Sequence, residues 1–251
     1  DDDVDGTIES KIEVIRARVE REIAIMREID SPNIVKMGEV NLTTVSYQDQ
    51  NLLYYSEEWI EGQNLQQILV KDKKLPARKV VQLCIDITNA ISELWKLNKI
   101  HRDIKPPNII QRSSDGVFVL LDLGLVFDLD DKSLTQFGFV PGTKIYLSPE
   151  QLDVYHKRDI DFRSDLFSLG VVAYQAITGV HPFYVFGMSD GELFERIVNT
   201  QVNPPIDIDR EIPSSISNII CRLLSKQPSG RYRKCTILLN ELRRILDSME
   251  V

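Results

Sequence analysis

The sequence is poor in cysteine, in long apolar runs and in early glycine, and it has no excess of basic charge. Its three cysteines, Cys84, Cys221 and Cys235, are odd in number, far apart and form no C-x-x-C pair. That argues against a disulfide framework or a cysteine zinc site, and a reducing, cytoplasmic setting is expected. No stretch approaches the roughly 18 apolar residues that span a bilayer. The longest run, Val117-Phe118-Val119-Leu120-Leu121, has the length of a buried strand. The chain opens Asp-Asp-Asp-Val-Asp, the opposite of a basic signal start. Lys and Arg number 30 against 38 Asp and Glu, a net charge of -8. Acidity of that size argues against nucleic acid as a partner and serves solubility.

What is present is an ordinary globular composition over 251 residues, 43% hydrophobic and 27% charged. That length suits one large domain or two small lobes. Ile8, Ile12, Ile15, Val19, Ile23 and Met26 recur at spacings of three and four, which predicts an amphipathic helix ending near Ser31-Pro32-Asn33. Strand-like segments follow at Ile34–Thr44 and Leu52–Ile60, and Gly62 punctuates the second. Beyond residue 62 the character turns helical. Helices are predicted at Ala77–Leu97, Ser164–Thr178, Gly191–Asn199, Ser214–Ser225 and Thr236–Ser248. Two short strands, Ile109–Arg112 and Val117–Asp122, flank the turn Ser113-Ser114-Asp115-Gly116. Residues 123–150 read as a long functional loop. A small αβ part before a larger helical part predicts two lobes with a cleft between them.

The chemistry concentrates in His101-Arg102-Asp103-Ile104-Lys105-Pro106-Pro107-Asn108, an H-R-D-x-K-x-x-N pattern. Nineteen residues after Asp103, at the end of a strand, comes Asp122-Leu123-Gly124. Phosphoryl transfer needs phosphate charge neutralised and an oxygen nucleophile held in line. Asn108 and Asp122 carry the side-chain oxygens that a hard cation such as Mg2+ takes. Asp103 can accept a hydrogen bond from an attacking hydroxyl, and Lys105 supplies positive charge beside the transferred group.

On these residues the chain resembles the eukaryotic-type (Hanks-type) protein kinases, from about residue 8 to the end. The resemblance implies an α+β, two-lobed fold: a truncated small N-lobe over residues 1–60 and a helical C-lobe over residues 61–251. It implies ATP and Mg2+ as cofactors and a protein with a Ser or Thr acceptor as substrate. Asp103 would be the catalytic base, Lys105 the phosphate stabiliser, and Asn108 and Asp122 the metal ligands. Glu22 falls on the helix glutamate that pairs with an ATP-binding lysine. Glu58-Trp59-Ile60-Glu61-Gly62 resembles the hinge, where the backbone of Glu58 and Ile60 meets adenine. Asn64 is placed either to reach the ribose or to cap a helix. Ile110 is either the apolar floor under adenine or an ordinary core strand residue. His101, Leu123, Met26 and Met37 fall on a packing spine.

Ser148-Pro149-Glu150, with Gly142-Thr143 ahead of it, is similar to the family's Ala-Pro-Glu segment. Asp165-Leu166-Phe167-Ser168-Leu169-Gly170 is similar to its D-x-W-S-L-G, and Arg231 to the arginine that pairs with the segment's glutamate. Lys105 and Thr143 imply Ser/Thr rather than Tyr specificity. Arg102 implies regulation by phosphate on the activation segment, with Ser133 and Thr135 as candidate sites. His181 and His156 carry no catalytic reading.

The pattern also lacks two parts, the Gly-rich loop and the third-strand lysine. Gly6 is the only glycine before Gly38, and Lys11 lies within the helical pattern. Either residues upstream of this chain supply them, the favoured expectation, or the protein is a reduced homologue. The alternatives are therefore a pseudokinase-like scaffold, a binding module, and a small-molecule kinase of related fold. Glu57 stands at the position that gates the pocket behind adenine, where a carboxylate needs a partner or a proton.

Overall fold

The computed structural model describes residues 16–17, 19–47, 50–123, 127–128, 144–152 and 160–249. Gly6, Lys11, Ser133, Thr135, Gly142, Thr143 and His156 lie outside the described residues.

Helix α1 occupies residues 19–28 and buries Glu22, Ile23, Ile25 and Met26. Ser31 then turns the chain by accepting the Asn33 N–H. Asn33 ties this connection to the body of the molecule. Its amide donates to the Phe118 carbonyl at 3.1 Å, and its own carbonyl accepts the Leu120 N–H at 2.9 Å.

The two expected strands are shifted. β1 (Thr43–Tyr47) pairs antiparallel with β2 (Gln50–Tyr54), with Val45 opposite Leu52. Residues 34–42 and 55–60 approach through one isolated bridge, Met37 to Glu57, and through single bonds such as Gly38 N–H to Ser56 O at 2.8 Å, while Ile34 bridges to Leu120 instead. Gly38 lies too close to Ser56 and Glu57 for any side chain, and a Cβ there would fall 2.5 Å from Ser56 Oγ.

β3 (Gly62–Asn64), β5 (Ile109–Arg112) and β6 (Phe118–Leu120) form an antiparallel sheet in the order β3-β5-β6. A Cβ on Gly62 would fall 2.1 Å from the Gln111 carbonyl oxygen, so only glycine lets β3 lie against β5. A further pair joins β4 (Lys99–Ile100) to β7 (Phe127–Asp128).

Helix α2 (Leu65–Asp72) starts at a capping box in which Asn64 and Gln67 satisfy each other's backbone N–H. Helix α3 (Ala77–Lys96) buries the predicted stripe, Val80, Val81, Cys84, Ile85, Ile87, Ala90, Ile91 and Leu94. Helices α4 (Pro149–Leu152), α5 (Phe162–Thr178), α6 (Asp190–Asn199), α7 (Pro205–Ile208), α8 (Ser214–Leu223) and α9 (Cys235–Ser248) complete the chain. The central helix is α5, covered on nearly every side, with α3 and α8 among its neighbours. Asp161 caps its start and Gly179, at φ 79°, closes its end. Each fully buried aliphatic side chain there stabilises the fold by roughly 1.5–3 kcal/mol.

No described helix is long and apolar enough to cross a membrane.

Candidate active site

The site is built where the β5–β6 hairpin and α5 converge on residues 101–108. Asp165, fully buried in α5, accepts the backbone N–H groups of His101 at 2.8 Å and Arg102 at 2.9 Å. Burial raises the Asp165 carboxyl, while His101, the two N–H bonds and Arg102 pull the other way. Arg102 takes φ 66°, a left-handed conformation that costs energy for a side chain other than glycine. The two bonds from Asp165 hold that turn. The His101 ring, itself buried, contacts the Leu121 carbonyl at 3.1 Å and ties the turn to the end of the hairpin.

The turn delivers Asp103. Its side chain is 3% exposed, and its Oδ2 meets Lys105 Nζ at 2.7 Å. Asn108 Nδ2 donates to the same oxygen at 2.9 Å and to the Asp103 carbonyl at 3.1 Å. Asp103 Oδ1 is buried without a hydrogen-bond partner. A carboxylate oxygen in that state costs free energy, and such orphans collect where a ligand completes the set. With Nδ2 committed to Asp103, Oδ1 is the Asn108 atom that remains as a ligand oxygen. Asp122 adopts φ 59° directly after the hairpin. Among the described residues no three acidic, His or Cys side chains form a metal cage of their own.

Glu22 is 7% exposed and interacts with Tyr55. Burial and the Glu22 and Glu57 carboxylates raise the Tyr55 phenol, whose hydroxyl donates to Glu57 Oε1 at 3.3 Å. Desolvation raises the Glu57 carboxyl, the Tyr55 bond lowers it, and Asp122 raises it further. Tyr55 is thus the partner that Glu57 needs, a contact the sequence did not reveal.

The segment expected to be the hinge runs from Glu58 to Gly62. Glu58 donates its N–H to the Lys36 carbonyl at 2.9 Å, and its carboxylate accepts the Lys36 N–H at 2.8 Å. Ile60 is buried. Ile110 pairs directly with Asn64 across β3 and β5, and packs against the core. The Asn64 Oδ1 accepts the Gln67 N–H at 2.8 Å, so this oxygen serves the helix cap.

Glu150 and Arg231 pair as expected. Arg231 Nη1 and Nη2 donate to the two carboxylate oxygens at 2.5 and 2.9 Å, and Ser164 Oγ donates to the same carboxylate at 2.6 Å. Phe167, standing for Trp, stacks on Phe183 at 5.8 Å and lies under the Arg231 guanidinium.

Comparison with known proteins places these features in a wider set. A family profile described as protein kinase domain matches residues 7–241. The chain is 30% identical over 233 residues to a Clostridium perfringens protein named probable serine/threonine-protein kinase, covering 93% of this chain and 32% of that protein. It is 33% identical over 225 residues to a Bifidobacterium longum protein named probable serine/threonine-protein kinase PknB, covering 88% of this chain and 32% of the relative. Serine/threonine-protein kinase PknB of Mycobacterium leprae is 30% identical over 229 residues, covering 91% and 36% respectively. The chain therefore spans about a third of the length of these relatives.

Proposed function

We propose, from the premise that this chain belongs to the protein kinase domain family and is of the Ser/Thr type, that residues 101–108 and 122 transfer the γ-phosphate of ATP to a Ser or Thr hydroxyl of a protein. The observation that carries this reading is the buried, unpartnered Asp103 Oδ1 beside the Lys105 ammonium.

Asp103 Oδ1 accepts the hydrogen bond of the acceptor hydroxyl and takes its proton as the oxygen attacks phosphorus. The bond between the γ-phosphorus and the ADP oxygen breaks in the same transfer. Lys105 and Asn108 share Asp103 Oδ2, which fixes the carboxylate plane and leaves Oδ1 as the oxygen without a partner. Lys105 also places positive charge where phosphoryl charge develops. Asn108 Oδ1 and Asp122 would hold Mg2+, which supplies charge neutralisation on the phosphates. The Glu58 and Ile60 backbone meets the adenine edge, Ile110 lies beneath it, and Asn64 stands at the ribose rim. Glu22 orients the phosphate-binding side of the cleft. The division into a small lobe over residues 1–60 and a helical lobe over residues 61–251 belongs to this reading, with Glu58–Gly62 as the hinge. A cytoplasmic site of action belongs to it as well, supported by three free cysteines.

The test is transfer of labelled phosphate from ATP to myelin basic protein by the full-length protein, with Mg2+ and with EDTA. Mg2+-dependent labelling of Ser or Thr is expected. Nucleotide binding without any transfer would instead support the scaffold.

A further inference from the structure

Strand β6 lies at the end of its sheet, with β5 on one side only. Arg112 donates its N–H to the Val117 carbonyl at 2.9 Å, and Leu121 donates its N–H to the Asn108 carbonyl at 2.8 Å. These bonds set the alternation: Val117, Val119 and Leu121 turn towards β5, while Phe118 and Leu120 turn away and need partners elsewhere. Phe118 donates its N–H to Asp86 Oδ2 at 2.9 Å, and its carbonyl accepts from Asn33 Nδ2 at 3.1 Å. Leu120 donates its N–H to the Asn33 carbonyl at 2.9 Å, and its own carbonyl accepts the Val35 N–H at 3.0 Å. The outer edge of β6 is thus closed from two directions, by Asp86 in the middle of α3 and by the connection that follows α1. Asn33 and Asp86 are both buried and are held in turn. Ser31 Oγ accepts the Asn33 N–H at 3.2 Å, and Gln82 Nε2 donates to Asp86 Oδ1 at 2.9 Å.

The end of the same strand carries the site. Besides its bond to Asn108, Leu121 presents its carbonyl to His101 Nε2 at 3.1 Å. Asp103 donates its N–H to His101 Nδ1 at 3.3 Å, so the ring proton sits on Nε2, which donates to Leu121. Asp122, at φ 59°, follows at once. A displacement of β6 therefore moves Asn108, His101 and Asp122 together.

We propose that Asn33 and Asp86 are positioning residues for the transfer reaction: by closing the outer edge of β6 they set where Leu121 holds Asn108 and His101, and where Asp122 leaves the strand. The proposal rests on the transfer reading above, which makes Asn108 and Asp122 the Mg2+ ligands. It assigns neither residue a contact with ATP, metal or acceptor.

Three substitutions test it. Asn33→Ala removes the donor to the Phe118 carbonyl, and Asp86→Ala removes the acceptor of the Phe118 N–H. Asp86→Asn keeps an oxygen for that N–H. In the full-length protein, with myelin basic protein as probe, both alanine variants should lower kcat and raise the half-saturating Mg2+ concentration, each on the order of ten-fold. Asp86→Asn should stay close to wild type in both. A loss of folded protein alone would lower kcat and leave the Mg2+ midpoint in place, and that result would overturn the proposal.

Hydrogen exchange of the full-length protein, without ATP or metal, gives a readout that needs no activity. The Leu121 amide bonds to Asn108 and touches neither substituted side chain. In Asn33→Ala its protection should fall on the order of ten-fold further than that of the buried Val171 and Val172 in α5. An equal fall would mean a general loss of stability and would refute positioning. Where the variants do not fold, the unaltered protein decides: Phe118, Leu120 and Leu121 should exchange as one slow unit, and fast exchange at Phe118 and Leu120 would show an open edge. Asp103→Asn keeps the two readings apart. Retained transfer there would sink the site assignment, while exchange at Leu121 still judges Asn33 and Asp86.

Discussion

Glu150 and Arg231 lie 81 positions apart in the chain and meet in a two-point ion pair. Arg231 is fully buried and also donates to the Ser225, Lys226 and Arg163 carbonyls. Removing one partner of such a pair leaves an uncompensated buried charge. Arg231→Ala should therefore destabilise the protein by about 3–5 kcal/mol, read as a fall in urea midpoint at constant m. Burial alone would raise the Glu150 carboxyl, but Arg231 and the Ser164 hydroxyl outweigh it and hold it below its ordinary value. A carboxyl lowered on folding contributes stability that is present above its unfolded pKa and lost as pH falls through the folded one. The gap between wild type and Glu150→Gln should then close on acidification below the ordinary value of 4.5. A pH-independent gap would contradict the pairing.

Gly62 is the close approach between β3 and β5. Gly62→Ala puts a methyl group 2.1 Å from the Gln111 carbonyl oxygen, and backbone cannot yield as a side chain can. The variant should lose about 1–3 kcal/mol of stability and weaken ATP binding together. Unaltered melting and unaltered ATP affinity would show that β3 does not pack as described.

Glu57 makes the opposite pH prediction from Glu150. Its carboxyl is raised, chiefly by desolvation. A raised carboxyl favours folding most below its unfolded pKa and loses that contribution as pH rises towards the folded one. Glu57→Gln should therefore melt above wild type at neutral pH, with the difference shrinking on acidification. Thermal melts at several pH values decide it, and a variant less stable at neutral pH would refute the sign.

Asp165 holds the strained Arg102 turn through two N–H bonds. Asp165→Asn leaves one acceptor oxygen for two donors, at a cost of about 1–3 kcal/mol for the orphaned group. Since the turn carries Asp103, kcat should fall while the KM for ATP changes little. Steady-state kinetics on folded variant check this, and an unchanged kcat would remove Asp165 from the positioning chain.

The sequence reading succeeds where a period or a dense motif fixes the answer. The α3 stripe appears as written, because eleven buried residues of one helix impose a strong repeat. Strand β5 matches at both ends, bounded by the Asn108 turn and by Ser113-Ser114-Asp115-Gly116. β1 and β2 shift from the expected limits because β1 is exposed along its whole length and shows no alternation. Helix α2 has no limits in the sequence reading, but Asn64 as its cap is one of the two readings offered there, and Asn64-x-x-Gln67 is a capping box with Leu65, Ile68 and Leu69 on the inner face. The ring contact of His181 with Tyr146, like Tyr55 with Glu57 and Glu22, depends on tertiary packing and leaves no pattern along the chain.

The central claim is that Asp103 takes the acceptor proton. Asp103→Asn keeps the side-chain shape and removes the base. In the full-length protein it should cut phosphate transfer to myelin basic protein by about 10²–10⁴-fold while leaving ATP affinity near wild type. Transfer at the wild-type rate would contradict the account.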